Sequence, residues 1–266
     1  MTFLEKIAES KRKEVALLKR RFSVKDFEES PLFGRKAISL AGRLRDPAGT
    51  GIIAEFKRCS PSRGVINDSA DLLKVTTGYC NAGAAGISIL TEKKFFGGKA
   101  DDLYKVRSSI NIPILRKDFI LDEIQIYESK CLGADVILLI AALTGKEELV
   151  QFSKLANSLG MEVLLEIHSM DELDTINEFV NIVGVNNRDL HSMKTDIITS
   201  LMLAGKIPDG FVKISESGIS SPEVITELKK AGYDGFLIGE YFMSKPDPVS
   251  TFREFVSSLR EAEKNP

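Results

Sequence analysis

The 266-residue chain predicts an α/β fold, a single (β/α)8 TIM barrel with an N-terminal helical extension. Three observations predict it. Eight short apolar runs recur about every 26 residues, the size of one strand-helix unit in such a barrel. The runs are nearly continuous rather than alternating, as parallel strands covered on both faces require. The segments Leu132-Gly133-Ala134-Asp135, Leu159-Gly160-Met161-Glu162 and Ala231-Gly232-Tyr233-Asp234 each read as a helix leaving on glycine and a strand beginning. A doubly wound dinucleotide-binding sheet competes, but no GxGxxG follows the first run, and eight units exceed its usual six strands.

Residues 1–48 are expected to form the extension and residues 49–266 the barrel. In the extension Phe3, Leu4, Ile7, Val15, Leu17 and Leu18 recur as one helical stripe. Lys11-Arg12-Lys13, flanked by Glu9 and Glu14, reads as a solvated face. A second helical stretch is expected over Leu32 to Leu44, starting after Ser30-Pro31, and Asp46 to Gly51 is a connector. Barrel strands are expected at 52–57, 86–90, 112–117, 135–140, 162–167, 182–186, 211–216 and 235–239. Ser221-Pro222-Glu223 places a capping serine before a proline at the first helical position, with Ala231-Gly232 closing that helix.

Composition excludes several function classes. Lys and Arg total 36 against 38 Asp and Glu, so no basic field advertises nucleic acid or an anionic membrane. No apolar run approaches the roughly 20 residues that span a bilayer, and MTFLEKIAESKRKEV is too charged for a secretory segment. A soluble, cytoplasmic protein is expected. Cys59, Cys80 and Cys131 read as buried reduced thiols. His168 and His191 are too few for a zinc centre, and no GxSxG elbow accompanies the serines. Neither a metal nor a cofactor is expected.

Function in such barrels gathers at the carboxyl ends of the strands. There the chain places Glu55-Phe56-Lys57, with Ser60-Pro61-Ser62 following, then Lys117-Asp118-Phe119, Glu166, Asn186-Asn187-Arg188, Glu216-Ser217-Gly218 and Gly239-Glu240. Charges at strand ends often lie at a solvated rim, and Glu55 and Lys57, two apart, could be a plain ion pair. Five strands ending in ionisable groups make a stronger pattern, because a barrel brings those ends to one mouth, where buried charge must be paired or used. The glycine turns after the last two strands stand where such barrels commonly hold phosphate on backbone amides.

These residues resemble the indole-3-glycerol phosphate synthase family. The resemblance rests on Ile53-Ala54-Glu55-Phe56-Lys57-Arg58-Cys59-Ser60-Pro61-Ser62-Arg63-Gly64, Ser88-Ile89-Leu90-Thr91-Glu92-Lys93 and Leu115-Arg116-Lys117-Asp118-Phe119. It continues through Leu132 to Asp135, Glu166-Ile167-His168, Gly184-Val185-Asn186-Asn187-Arg188-Asp189-Leu190, Ser215 to Ile219 and Leu237-Ile238-Gly239-Glu240, in the family's order. It implies conversion of a carboxyphenylamino-deoxyribulose phosphate to indole-3-glycerol phosphate, CO2 and water, in tryptophan biosynthesis. By the same resemblance Lys117 is the general acid and Glu166 its partner in dehydration. Lys57 binds the aryl carboxylate and shares proton transfer; Glu55 and Glu216 orient the lysines and substrate hydroxyls; Asn186 and Arg188 are the polar pair near the reacting centre. Phosphate would rest on Ser217, Gly218, Gly239 and Glu240, helped by Ser60 and Lys57. Pro61, Phe96, Phe119, Leu138 and Leu190 would surround the aromatic ring, though ordinary packing could equally explain them. The implied partner is a phosphorylated small molecule; a monomer is expected, with an oligomer left open. Arg63 stands where lysine is frequent, Ser215 where alanine is common, and Glu240 where serine also occurs.

Two kinds of rival share the architecture, other enzymes and a non-catalytic binder. Glu166 and Glu216 could serve a retaining glycosidase, but the chain has no Trp for sugar platforms and that mechanism leaves Lys57 and Lys117 idle. An isomerase of phosphorylated aminosugars would share the phosphate cradle without needing the two lysines together. A non-catalytic phosphate sensor would bind without turnover, yet every candidate catalytic position carries a competent residue.

Overall fold

In a computed structural model, residues 2–189 and 192–264 are described. Three helices, α1 (Phe3–Arg21), α2 (Val24–Glu28) and α3 (Leu40–Leu44), precede the first strand, β1 (Ile52–Phe56). A small antiparallel hairpin of β2 (Cys59–Ser60) and β3 (Gly64–Val65) stands in the loop after β1. The chain then alternates through α4 (Leu72–Asn81), β4 (Gly86–Leu90), α5 (Ala100–Arg107), β5 (Ile114–Lys117), α6 (Glu123–Cys131), β6 (Val136–Ile140), α7 (Lys146–Ser158) and β7 (Glu162–Ile167). A 3-10 segment, Met170–Thr175, replaces a full helix before β8 (Ile182–Asn186). It ends with α8 (Ile198–Leu203), β9 (Val212–Glu216), α9 (Pro222–Lys230), β10 (Gly235–Ile238), α10 (Glu240–Met243) and α11 (Pro248–Lys264). Strand β1 pairs in parallel with both β4 and β10, which closes an eight-stranded barrel. Every apolar run in the sequence supplies one of these strands. The three junction glycines, Gly133, Gly160 and Gly232, all adopt positive φ, the left-handed helix exit that glycine makes without strain.

The two-residue period of a strand sorts the side chains. Ile52, Ala54 and Phe56, like Val163, Leu165 and Ile167, join the core beneath the helices. Ile53, Leu115, Leu164 and Ile214 fill the barrel interior together with Leu138, Ile182 and Leu237. Two residues beyond the first four lie Glu55, Lys117, Glu166 and Glu216. The interior parity that buries apolar groups therefore delivers these charges inward at the carboxyl end.

Helix α3 packs on the other end of the barrel. Ser39 caps α3, and the α3 backbone N–H groups of Leu40 and Ala41 donate to Glu162 Oε2, each at 2.9 Å. Leu40 packs against Gly86 and Leu44 against Gly235, at distances where added side chains would collide. Asp135, fully buried, gathers Arg35, Arg107 and the backbone N–H groups of Ile38 and Ile114 at 2.5–2.8 Å.

Four expectations need correction. No helix spans 32–44: a turn follows Pro31, the chain runs extended to Asp135, and only Leu40–Leu44 is helical, while α2 lies in a stretch with no expected helix. Leu17 is 59% exposed. Lys11, expected in solvent, is 1% exposed and pairs with Asp118 Oδ1 at 2.8 Å, because Ile7, Lys11 and Val15 share one helix face and that face meets the barrel. The cysteines are free thiols but half-buried rather than buried.

Candidate active site

A cavity of about 800 Å³ opens at the carboxyl ends of the strands, within the range typical of small-molecule sites. Glu55, Lys57, Lys117, Glu166, Asn186, Arg188 and Glu216 all line it. So do Ser60, Ser217, Gly218, Gly239 and Glu240, and the apolar candidates Pro61, Phe96, Phe119 and Leu138. Leu190 lies outside the described residues. Residues drawn from all eight barrel strands and the loops that follow them thus meet in one hollow.

Lys117 stands at its centre. Its Nζ lies 2.7 Å from Glu166 Oε2 and 3.1 Å from Glu216 Oε2. Lys57 Nζ pairs with Glu55 Oε1 at 3.0 Å, and Ser88 donates to the other Glu55 oxygen at 3.3 Å. The ion pair anticipated as a rim feature therefore exists, but on the cavity wall.

Burial and charge pull these groups in different directions. Burial would depress Lys117, but Glu166, Glu216 and Glu55 outweigh it and hold the ammonium well above the ordinary lysine range. Burial would raise Glu166, yet Lys117 and then His168 keep it far below the usual carboxylate range. Glu216 goes the other way. Burial leads and Glu166 adds to it, against Lys117, so its carboxyl is pushed up to about 7. Its Oε1 has no hydrogen-bond partner among the described residues. Two neighbouring carboxyls are thereby driven apart, one firmly ionised and one near neutrality.

At the other side of the mouth Ser217 and Gly218 follow β9 with φ of 68° and 78°. A side chain at Gly218 would strike Thr195 Cγ2 at 2.7 Å. A non-glycine residue in the left-handed region costs on the order of 1 kcal/mol and marks a constrained turn. Asn187 holds that turn, donating to Ser215 Oγ at 2.9 Å and to the Ser217 carbonyl at 3.0 Å. Facing it, Gly239 opens α10, whose first amides have no acceptor within the helix. The Glu240 carboxylate is drawn to Arg63 Nε at 2.9 Å and Arg188 Nη2 at 3.5 Å. Arg188 also donates to Ser62 Oγ at 3.3 Å, tying the loops after β1 and β8 together.

Several lining residues escaped the sequence reading. Phe3, Leu4 and Ile7 of α1 form part of the wall. Their apolar stripe is visible in the sequence, but not the cavity it roofs. His168, which stands outside this wall but lies 3.3 Å from Glu166 Oε1, also received no role from the sequence. Among the described residues no three His, Cys, Asp or Glu side chains gather to hold a metal ion.

Comparison with known proteins agrees with this geometry. Residues 4–255 match the family model described as indole-3-glycerol phosphate synthase. The chain is 44% identical over 257 residues to the indole-3-glycerol phosphate synthase of Bacteroides thetaiotaomicron, covering 97% of this chain and 98% of that one. It is 45% identical over 244 residues to that of Chloroherpeton thalassium, covering 90% and 94%. Among solved structures, 3-hexulose-6-phosphate synthase from Salmonella typhimurium superposes with a TM-score of 0.62 at 13% identity, over 79% of this chain and 98% of that chain, a likeness of fold alone. The chain belongs to the indole-3-glycerol phosphate synthase family.

Proposed function

We infer that Lys117 and Glu166 divide the proton transfers of the reaction this chain catalyses as a member of its family. That reaction is a carboxy-lyase step of tryptophan biosynthesis, from the carboxyphenylamino-deoxyribulose phosphate to indole-3-glycerol phosphate, CO2 and water. One observation carries the assignment: an inward ammonium held between two carboxylates at 2.7 and 3.1 Å, in the same cavity as a left-handed Ser217-Gly218 turn.

Ring closure joins an aromatic carbon to the substrate's carbonyl carbon while the carbonyl oxygen takes a proton. Lys117 keeps its proton in the free enzyme and is the donor; substrate must loosen the Glu166 contact before that proton can leave. Lys57 pairs with the aryl carboxylate, Leu138 and Phe119 flank the ring, and departure of CO2 returns the bonding electrons to it. Dehydration then takes a proton from the neighbouring carbon and expels the hydroxyl, which the re-formed Lys117 ammonium protonates so that it leaves as water. Glu166, ionised in the free enzyme, accepts that proton. Glu216, able to carry a proton near neutrality beside Lys117, restores the ammonium. Glu55 orients Lys57, while Asn186 and Arg188 hold substrate hydroxyls. The phosphate sits on the amides of Ser217, Gly218, Gly239 and Glu240, with Ser60 and Lys57 beside it.

The same reading treats residues 1–48 as an extension packed on a barrel of residues 49–266, supported by the α1 residues on the cavity wall. It takes a monomer as the active form, since one chain supplies every candidate site residue among those described, and the cytoplasm as its place. No helix among the described residues is long and apolar enough to cross a membrane.

The test is to mix enzyme and substrate and follow indole absorbance. Lys117→Ala lowers kcat by about 10² to 10⁴, the usual share of a positioned acid, with KM changed only a few fold. A variant that keeps most of its kcat removes Lys117 from the acid role.

A further inference from the structure

Glu166 and His168 stand two apart at the end of β7, so their side chains leave on the same side. The Glu166 carboxylate is consequently gripped at both oxygens: Lys117 Nζ lies 2.7 Å from Oε2, and His168 Nε2 lies 3.3 Å from Oε1. The imidazole in turn lies between two carboxylates, with Nδ1 3.5 Å from Glu172 Oε2. That oxygen also accepts the His168 backbone N–H at 2.6 Å, which fixes Glu172 against the strand end. The ring is partly exposed, but both of its nitrogens are buried, and they make ion-pair contacts without directed hydrogen bonds among the described residues. Arg188 and Asp189, from the loop after β8, are the other charged groups facing the small hollow of about 260 Å³ beside it.

We infer that His168 is a positioning residue for Glu166: an imidazolium braced by Glu172, it keeps the carboxylate ionised and fixes which oxygen reaches the reacting centre. The inference rests on the reading of Glu166 as the base. A buried carboxylate held by one ammonium loses that support whenever Lys117 gives up its proton, and it would then become a weak target for the next transfer. A second cation that takes no part in the chemistry holds Glu166 ionised through that moment. The flanking carboxylates suit the ring to the task. Burial opposes its charge, but Glu166 and Glu172 raise it to about 9, so the imidazolium persists at neutral pH.

Steady-state kinetics of H168Q, E166Q and the double variant, each across pH 5 to 9, test the inference. H168Q should lower kcat by about 10- to 100-fold, part of the general-base contribution, with KM within about threefold. Its acidic limb of kcat should move to higher pH, because Glu166 no longer has its second cation. In the E166Q background H168Q should add nothing. An unmoved acidic limb in H168Q beside an inactive E166Q overturns the role of His168, as does an equal loss in both backgrounds. An E166Q enzyme near wild-type turnover overturns the reading of Glu166 itself, and the inference with it. Should H168Q not fold, nitrogen-15 titration of the ring in H191Q enzyme decides, since the chain has two histidines. The ring should stay charged past pH 8 and titrate lower in H191Q/E166Q; an ordinary value unchanged by E166Q refutes the pairing.

Discussion

An added methyl at Gly184 would overlap Glu216 Oε1 and come within 3.0 Å of Leu164 Cδ1, and one at Gly239 would lie 2.6 Å from Glu55 Oε1. Two glycines therefore leave the space into which two carboxylates turn. Gly184→Ala should displace Glu216 from Lys117 and overpack the interior. The expected result is a loss of about 1–3 kcal/mol of stability and a kcat at least tenfold lower, read by thermal unfolding and the indole assay. Wild-type values in both would remove the steric role. Glu55, Lys117, Glu166 and Glu216 are legible in the sequence because each continues the inward parity of an apolar run. Lys11 and His168 are not. Glu14 does pair with Lys11, at 2.9 Å, which suggests a solvated face, and only tertiary packing brings its buried partner, Asp118, from 107 positions away. His168 gains its meaning from Glu172 on a 3-10 turn and Glu166 on a strand, a juxtaposition no single periodicity encodes.

The joint between α1 and the end of β5 is a chain of buried charge. Lys11 meets Asp118 at 2.8 Å, Asp118 meets Arg116 at 3.1 Å, and Arg116 meets Glu128 at 2.7 Å. Thr91 donates to the same Asp118 carboxylate at 2.6 Å. Asp118 and Phe119 follow Lys117 directly, so this joint supports the loop that begins at the proposed acid. Lys11→Met keeps the aliphatic stem but leaves Asp118 short of one cation, a loss of roughly 3 kcal/mol for a broken buried pair. Hydrogen exchange in α1 should accelerate while the strands β7 to β9 keep their protection; equal acceleration everywhere would mean that α1 has no separate stability. The strands were legible because each apolar run is self-contained, and the glycine junctions because left-handed exits need that residue. The path from Pro31 to Leu40 was not, since Asp135 and Glu162, both on the barrel, dictate it.

Across the whole molecule the displaced ionisations set a pH profile for folding. Glu166 and Asp118 are held below their ordinary values, so their contribution is present above about pH 4.5 and lost as pH falls. His168 is raised to about 9, so its contribution is complete below pH 6.5 and lost as pH climbs through 9, on the order of 3 kcal/mol. Glu216, raised to about 7, favours its protonated form and weakens the fold between pH 4.5 and 7. Urea unfolding should accordingly show greatest stability near pH 4.5 to 5, a decline to pH 7 set by Glu216, and a further decline from pH 6.5 toward pH 9 that H168Q largely abolishes; a wild-type curve flat from pH 6.5 to 9 would contradict the assignment. The α3 plug, with Leu40 seated on Gly86 and Leu44 on Gly235, has a kinetic consequence. With the base stoppered, arriving reactant and departing indole-3-glycerol phosphate share the mouth at the carboxyl ends of the strands. Lingering product must then block entry outright, and indole-3-glycerol phosphate should inhibit in a purely competitive pattern, with lines that meet on the velocity axis.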